Sequence, residues 1–540
     1  MSEQGAWSEC ANEENTMSRM KSFLGLPDAT EKVLRLAKIM AILGPLANLT
    51  FTLSSTFYVV FVAEALGGGS FMEGMALVGV LVVVQMATQT LLDYPTGAIG
   101  DWIGQRYVIG SASVFYGLSF FMVSFVSQTT PFWYLVIVYA VTGFASSQMS
   151  GAWGAWFDNN YRVAMPGDVD RKQYGVFWGR MGMMMQVVAT ASLIPGSVLA
   201  MILSREWVFQ LEGVLSVALG VVAFRLVRDF PEVEEARRAE NGNARPSMAE
   251  YVGILKGGVT YLFKHPFVRY IVIGSMLATS SIMVWGNLIL FPMYYSYLIT
   301  DVAVASFRTL LFAPGIAAQE RSGIWSRRFE PKKWIPRFRL IQTCGFVFFW
   351  VFAVLMFVFP PTADSGNVLI VTWPFTAIEL LRLPVDNIVP IALIFTTFVS
   401  TSFFGGFAEI LTQRVLLDVI PNKIRNSMYS LQPTIAMLFA IPQIAAFGWL
   451  LTIIGFPLTL LICGVVSLAG VLLISLGLKK EVPVLEDESL AVPPSAILET
   501  GESSLDVADL EEAELTLTKE EVLLEEGEFL AEIERLAAED

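Results

Sequence analysis

The chain has 540 residues, 54% of them apolar and only 16% charged, with a mean hydropathy of +0.59. This excludes an ordinary water-soluble domain, where about a quarter of residues are charged, and recurrent apolar runs of about 20 residues exclude a protein held by a single anchor. The formal net charge of −14 is unevenly placed: residues 481–540 carry −18 and the remainder +4, so the body is mildly basic and the tail holds the acidity.

In chain order, residues 1–35 are polar and acidic, with Glu3, Glu9, Glu13 and Glu14 and no basic start, apolar stretch or small-residue cleavage site. No cleaved leader is expected, so the first span itself directs insertion. Hydropathy broken by polar and Pro/Gly positions predicts six spans in residues 36–227, near 36–64, 73–99, 107–127, 132–156, 174–202 and 207–226. A long connection, 228–269, follows with Glu232, Glu234, Glu235, Arg237 and Arg238, then an amphipathic piece from Ser247. Residues 270–478 hold six more spans, near 270–298, 302–319, 337–359, 388–411, 427–450 and 453–477, and 479–540 form the acidic tail. The fold class is therefore all-α integral membrane, with about twelve helices in two six-helix halves.

Placing both termini in the cytoplasm puts 31 of the 35 Lys and Arg residues on that side, leaving Arg205, Arg308 and Arg382 on or near the outside and Arg180 within a span. The positive-inside rule selects this orientation, and with it a multi-pass protein of the cell membrane. An internal repeat supports two halves. At an offset of 254, Thr142, Phe144, Ser146, Ser147 and Gly151 of span four match Thr396, Phe398, Ser400, Thr401 and Gly405 of span ten. Similarity between two small-residue packing helices is the competing explanation. The extra length in the second half falls in an outer segment around Pro361–Pro390.

Cys10, Cys344 and Cys463 are widely spaced, and His265 is the single histidine, in the basic stretch Lys264-His265-Pro266. Neither a disulfide framework, a thiolate metal site nor histidine-based hydrolysis is suggested. No catalytic residue, metal, cofactor or nucleic-acid partner is expected, and the chain is read as a monomer in the lipid bilayer.

Charges inside spans are costly and mark function by default. Asp93 lies eight residues before Asp101, about 12 Å deeper at the helical rise, and is the first candidate for proton coupling, a packing acid being the alternative. Arg180 in span five is expected to pair with Asp93 or Asp158. Glu212 in span six is a further buried acid, and Glu409 in span ten is expected to pair with Arg414.

The most informative stretch is Asp93-Tyr94-Pro95-Thr96-Gly97-Ala98-Ile99-Gly100-Asp101-Trp102-Ile103-Gly104-Gln105-Arg106. Gly97, Asp101, Gly104 and Arg106 resemble the signature that the major facilitator superfamily carries between spans two and three, and the acid-x-Pro-Thr-Gly lead-in resembles its drug-efflux-like subset. Trp102 and Gln105 depart from the family's arginines there, which thins the charge network. Glycines permit close helix approach, and an acid at a helix end can face the positive N-terminus of another helix. The resemblance implies that Asp101 meets span eleven, which begins near Asn426 and Ser427, and latches an outward-open form. The second-half counterpart, Gly323–Lys333, lacks the acid and reads as a basic loop.

The same resemblance implies a cavity lined by spans one, four, seven and ten. Its candidates are Asn48, Thr52 and Ser55, then Gln148, Trp153 and Trp156, then Trp285 and Asn287. Interfacial aromatic belts are the alternative for the tryptophans. Function then follows as secondary transport of a small organic molecule, coupled to protons, with the halves rocking about a midplane site and export weakly favoured over import. A lipid scramblase or other non-carrier shares this composition. A primary transporter would need an ATPase on another chain, since no GxxxxGK[ST] loop is present. In the tail, Thr518 and Glu521 have capping-box spacing before an apolar stripe of Leu523, Leu524, Phe529, Leu530, Ile533 and Leu536, which either docks on the basic loops or stays solvated.

Overall fold

A computed structural model of the protein describes residues 17–168, 172–241, 256, 259–312, 329–341, 346–362, 367–376, 379–420 and 422–483. The tail helix, the amphipathic piece from Ser247, Cys10, Cys344 and residues 323–328 lie outside these. With no water in a bilayer core, backbone N–H and C=O groups must bond one another, and the apolar runs accordingly close into helices.

The first half comprises α1 (Glu31–Thr52), α2 (Tyr58–Leu66), α3 (Phe71–Ile103), α4 (Gln105–Val123), α5 (Phe132–Met149), α6 (Ala152–Ala164), α7 (Lys172–Ile202) and α8 (Arg205–Leu226). A short helix, α9 (Pro231–Asn241), lies in the central connection. The second half comprises α10 (Pro266–Val284), a π-helical turn (Trp285–Ile289), α11 (Leu290–Leu298), α12 (Asp301–Leu310), α13 (Pro331–Ile341), α14 (Phe346–Val358), α15 (Ile388–Val419) and α16 (Asn422–Gly477). Among the described residues, eight helices are long and apolar enough to cross a membrane, and one of them, Leu431–Gly477, holds two passes joined at Gly455, where φ is +72°. Shorter apolar helices over Phe348–Val358 and Val385–Val399, together with α12, give each of the twelve expected spans a helix.

Three of the spans expected to line a cavity are broken midway. Span one divides between α1 and α2, span four divides at Gly151, left-handed at φ +73°, and span seven carries the π turn. Discontinuous helices free backbone groups where a membrane protein binds polar ligands. The outer segment also departs from expectation: β1 (Val368–Thr372) and β2 (Glu379–Pro384) pair antiparallel, Val368 opposite Pro384, with a bulge at Val371 and Thr372.

We call the end bearing Arg106, Arg228 and Arg237 the basic end, and the opposite one the far end. Buried apolar side chains fall into three groups among the described residues. One unites both halves, from Phe57, Phe61 and Phe209 to Tyr294, Val304 and Phe456. The other two are confined to one half each, around Phe157 and Phe177 and around Phe338 and Phe407. The halves thus share a core toward the far end and keep separate cores toward the basic end. They also cross backbone to backbone where α3 meets α16, a Cβ on Gly79 falling 3.0 Å from the Gly448 Cα. Small residues allow such approach where lipid gives no hydrophobic drive to helix pairing.

Candidate functional site

The far end is closed by charge. Arg205, opening α8, bonds Asp301, opening α12, through Nε and Nη2 at 2.8 Å each, and Glu64 of α2 through Nη1 at 2.6 Å. All three side chains are largely buried, at 14–28% exposure. The guanidinium also lies 5.7 Å from the Phe57 and Tyr295 ring centres. Two acids and two aromatic faces around one arginine join spans one and six to spans seven and eight. Deeper, Thr309 Oγ1 donates to the Thr190 carbonyl at 3.4 Å, joining α12 to α7.

Below this closure lies a polar layer. Thr52 and Ser192 hydroxyls are 2.5 Å apart and Thr56 and Ser197 hydroxyls 2.9 Å apart, tying the broken first span to span five. The break itself is held by Glu212: its Oε1 accepts the Ser54 N–H at 2.9 Å, the residue is fully buried, and its Oε2 has no hydrogen-bond partner among the described residues. A carboxyl group therefore completes a backbone bond that the helix cannot make for itself. Gly196 lies against the Leu53 carbonyl, leaving no room there for a side chain.

The sequence candidates separate in this frame. Asn48, Thr52 and Ser55 stay partly accessible around the break, Asn287 is exposed on the π turn with Nδ2 donating to the Met283 carbonyl at 2.8 Å, and Trp153 is partly exposed against Trp156. Trp156, Trp285 and Gln148 instead serve packing. Trp156 is 1% exposed and donates to the Arg228 carbonyl at 3.4 Å. Trp285 is buried against Phe348 and Phe352, and Gln148 accepts from Ser111 of α4.

The charge pairings also differ from expectation. Arg180 donates to the carbonyls of Ser22 and Phe23, closing residues 17–24 onto α7, and Asp158 pairs with Arg162 at 2.8 Å. Glu409 pairs with the buried Arg339 of α13 at 2.6 Å, a partner 70 residues distant in sequence. Asp93 is exposed and bonds Ser150 at the break of span four. Arg308 lies inside α12, seven residues past Asp301, 5.4 Å from the Phe398 ring centre.

At the basic end, the loop stretch forms its own structure. Gln105, 3% exposed, donates to Asp101 at 3.0 Å, so the last turn of α3 is bonded to the first residue of α4 across the break at Gly104. Gly104 has φ +105°, and a Cβ there would fall 2.8 Å from Arg237 Nη1. Arg237 in turn pairs with Asp229, which also accepts from Asn160 at 2.8 Å. Arg106 lies over the Tyr107 ring, and Gly97 faces open space.

A family model described as Major Facilitator Superfamily matches residues 40–385. No curated protein matches the chain. Among solved structures, the nucleoside transporter NupG is similar at a TM-score of 0.59 and 13% identity, over 84% of this chain and 100% of that one. A D-xylose-proton symporter is similar at 0.52 and 13% identity, over 84% and 98%. At these identities the likeness concerns the fold.

Proposed function

The chain belongs to the major facilitator superfamily, and from that premise we propose that it is a proton-coupled secondary transporter of a small organic molecule in the cell membrane. The positive-inside rule assigns the basic end and both termini to the cytoplasm, so the described conformation is the cytoplasm-open one. The observation that carries the reading is the asymmetry between ends: one ion-latched core shared by both halves, and two separate cores opposite. A molecule that rocks between two such closures needs this construction. Asp101 bonded to Gln105 across the Gly104 break fits a state in which the latch implied by the motif is released.

Glu212 is the coupling group we favour. A buried charge without a counter-charge is costly, and its unpartnered Oε2 fits a carboxyl group holding a proton. Loss of that proton would act directly on the broken first span through Ser54. Asp93, at the open end beside Ser150, is the second group to test. Export is the direction that the lead-in resemblance implies.

The test is solute uptake by proteoliposomes with and without an imposed proton gradient. Wild type should concentrate solute with the gradient, whereas Glu212→Gln should lose that dependence and keep solute exchange. Gradient-driven uptake unchanged in both Glu212→Gln and Asp93→Asn would refute proton coupling through these acids. Lipid scrambling without solute flux would replace the carrier reading.

A further inference from the structure

Arginines buried in this molecule come with acids. Arg205 has Glu64 and Asp301, and Arg339 has Glu409. Arg308 breaks the pattern: among the described residues no carboxylate lies within ion-pairing distance of it, although α12 carries it roughly 10 Å below the Asp301 latch at the helical rise. A charge at that depth marks a substrate or ion pathway unless something neutralises it.

The surroundings are aromatic. The guanidinium is 5.4 Å from the Phe398 ring centre of span ten, a geometry that holds its plane by cation–π attraction and leaves its edge free for hydrogen bonding. Phe307 packs against Tyr294 at 5.2 Å and lies 6.5 Å from Phe395, so the side chains adjoining Arg308 are aromatic. The Tyr294 hydroxyl is buried without a hydrogen-bond partner among the described residues and lies within electrostatic reach of Arg308. Its neighbour Thr309 makes the contact between spans five and eight, so Arg308 adjoins the surface where the halves meet.

We propose that Arg308 is the counter-charge for an organic monocarboxylate with an apolar body, the substrate class of this site. A guanidinium matches a carboxylate through two parallel N–H donors. One unpaired cation balances one negative charge, and aromatic surroundings suit an apolar body better than a sugar. The assignment rests on the carrier reading and deepens it.

The test measures thermal stabilisation of the full chain in nanodiscs by benzoate and phenylacetate, with benzamide and benzylamine as neutral and cationic counterparts and phenyl phosphate as a dianion. Wild type should be stabilised by the carboxylates and not by the amide or the amine. Arg308→Lys should weaken carboxylate binding at least tenfold, and Arg308→Gln should abolish it. Should Arg308→Gln not fold, Arg308→Lys and Phe398→Leu, which removes the ring platform, decide the matter. Carboxylates that bind equally well to these variants, no carboxylate bound by wild type, or a preference for the phosphate, amide or amine overturns the proposal. Carboxylate binding lost with Arg308 but unaccompanied by flux in proteoliposomes supports the site and refutes the carrier. Flux of a neutral solute retained in Arg308→Gln does the reverse.

Discussion

Arg205 and Asp301 meet through two parallel hydrogen bonds of 2.8 Å, one residue contributed by each half. Side chains 17% and 14% exposed form this pair, so water screens it less than a surface bridge. Its energy is present only while the far end is closed, which makes it a term in the equilibrium between conformations rather than in folding alone.

Asp301→Asn keeps the shape and removes the charge. A hydrogen bond to a charged group contributes about 1.5 kcal/mol at the low end of its range, so the closed population should fall roughly tenfold relative to the open one. Pulsed-EPR distances between labels at Gly68 and Phe375, both at the far end, should acquire a longer component. An unchanged distribution means the pair does not latch.

Gly448→Val should arrest the molecule. A Cβ at this position falls 2.9 Å from the Gly79 Cα, backbone that cannot step aside. Overpacking of this kind costs about 1–3 kcal/mol, so a lower melting temperature in detergent and loss of transport are expected. Full activity in the variant would place the moving contact elsewhere.

Glu212→Gln and Glu212→Ala should differ in stability. The amide oxygen of glutamine can still accept the Ser54 N–H, whereas alanine leaves that buried donor unpaired at about 1–3 kcal/mol. Thermal unfolding should therefore be near wild type for the first and several degrees lower for the second. Equal melting temperatures would show that the break in span one does not depend on this bond.

Gly104→Ala should loosen the central helix. The position requires φ +105°, and the new methyl group would displace Arg237 from beside it. Such backbone strain costs on the order of 1–3 kcal/mol. Faster amide exchange over Pro231–Asn241 is the readout, and unaltered protection there rules out the coupling.

The spans were legible because twenty-residue apolar runs have little alternative in lipid; in the loop stretch Gly104 meets a backbone requirement at φ +105°, whereas Gly97 faces open space. Asn48, Thr52 and Ser55 share a face by helical spacing, and the structure leaves all three partly accessible. Trp156 and Trp285 were misplaced because a tryptophan in an apolar run looks alike whether it lines a cavity or fills a core; only its neighbours, Arg228 and Phe348, distinguish the two. Arg339 and Glu409 are 70 residues apart, beyond any local pattern. Arg308 reads as near the outside because a charge interrupts the apolar run of span eight that contains it. The break in span one left its mark in the cluster Ser54-Ser55-Thr56, whose hydroxyls bond to backbone and neighbouring helices in place of regular turns.

The glycine crossing of α3 and α16 also sets a lever ratio. Gly79 lies 22 residues from Asp101 along one helix, about 33 Å at the helical rise. A tilt of about 10° around that point would sweep the basic end through roughly 6 Å on this length. The far end, only eight residues from Gly79 at Phe71, would move by about 2 Å. A side chain's length of slack at the latch is thus geared to a passage wide enough for a small molecule at the other mouth.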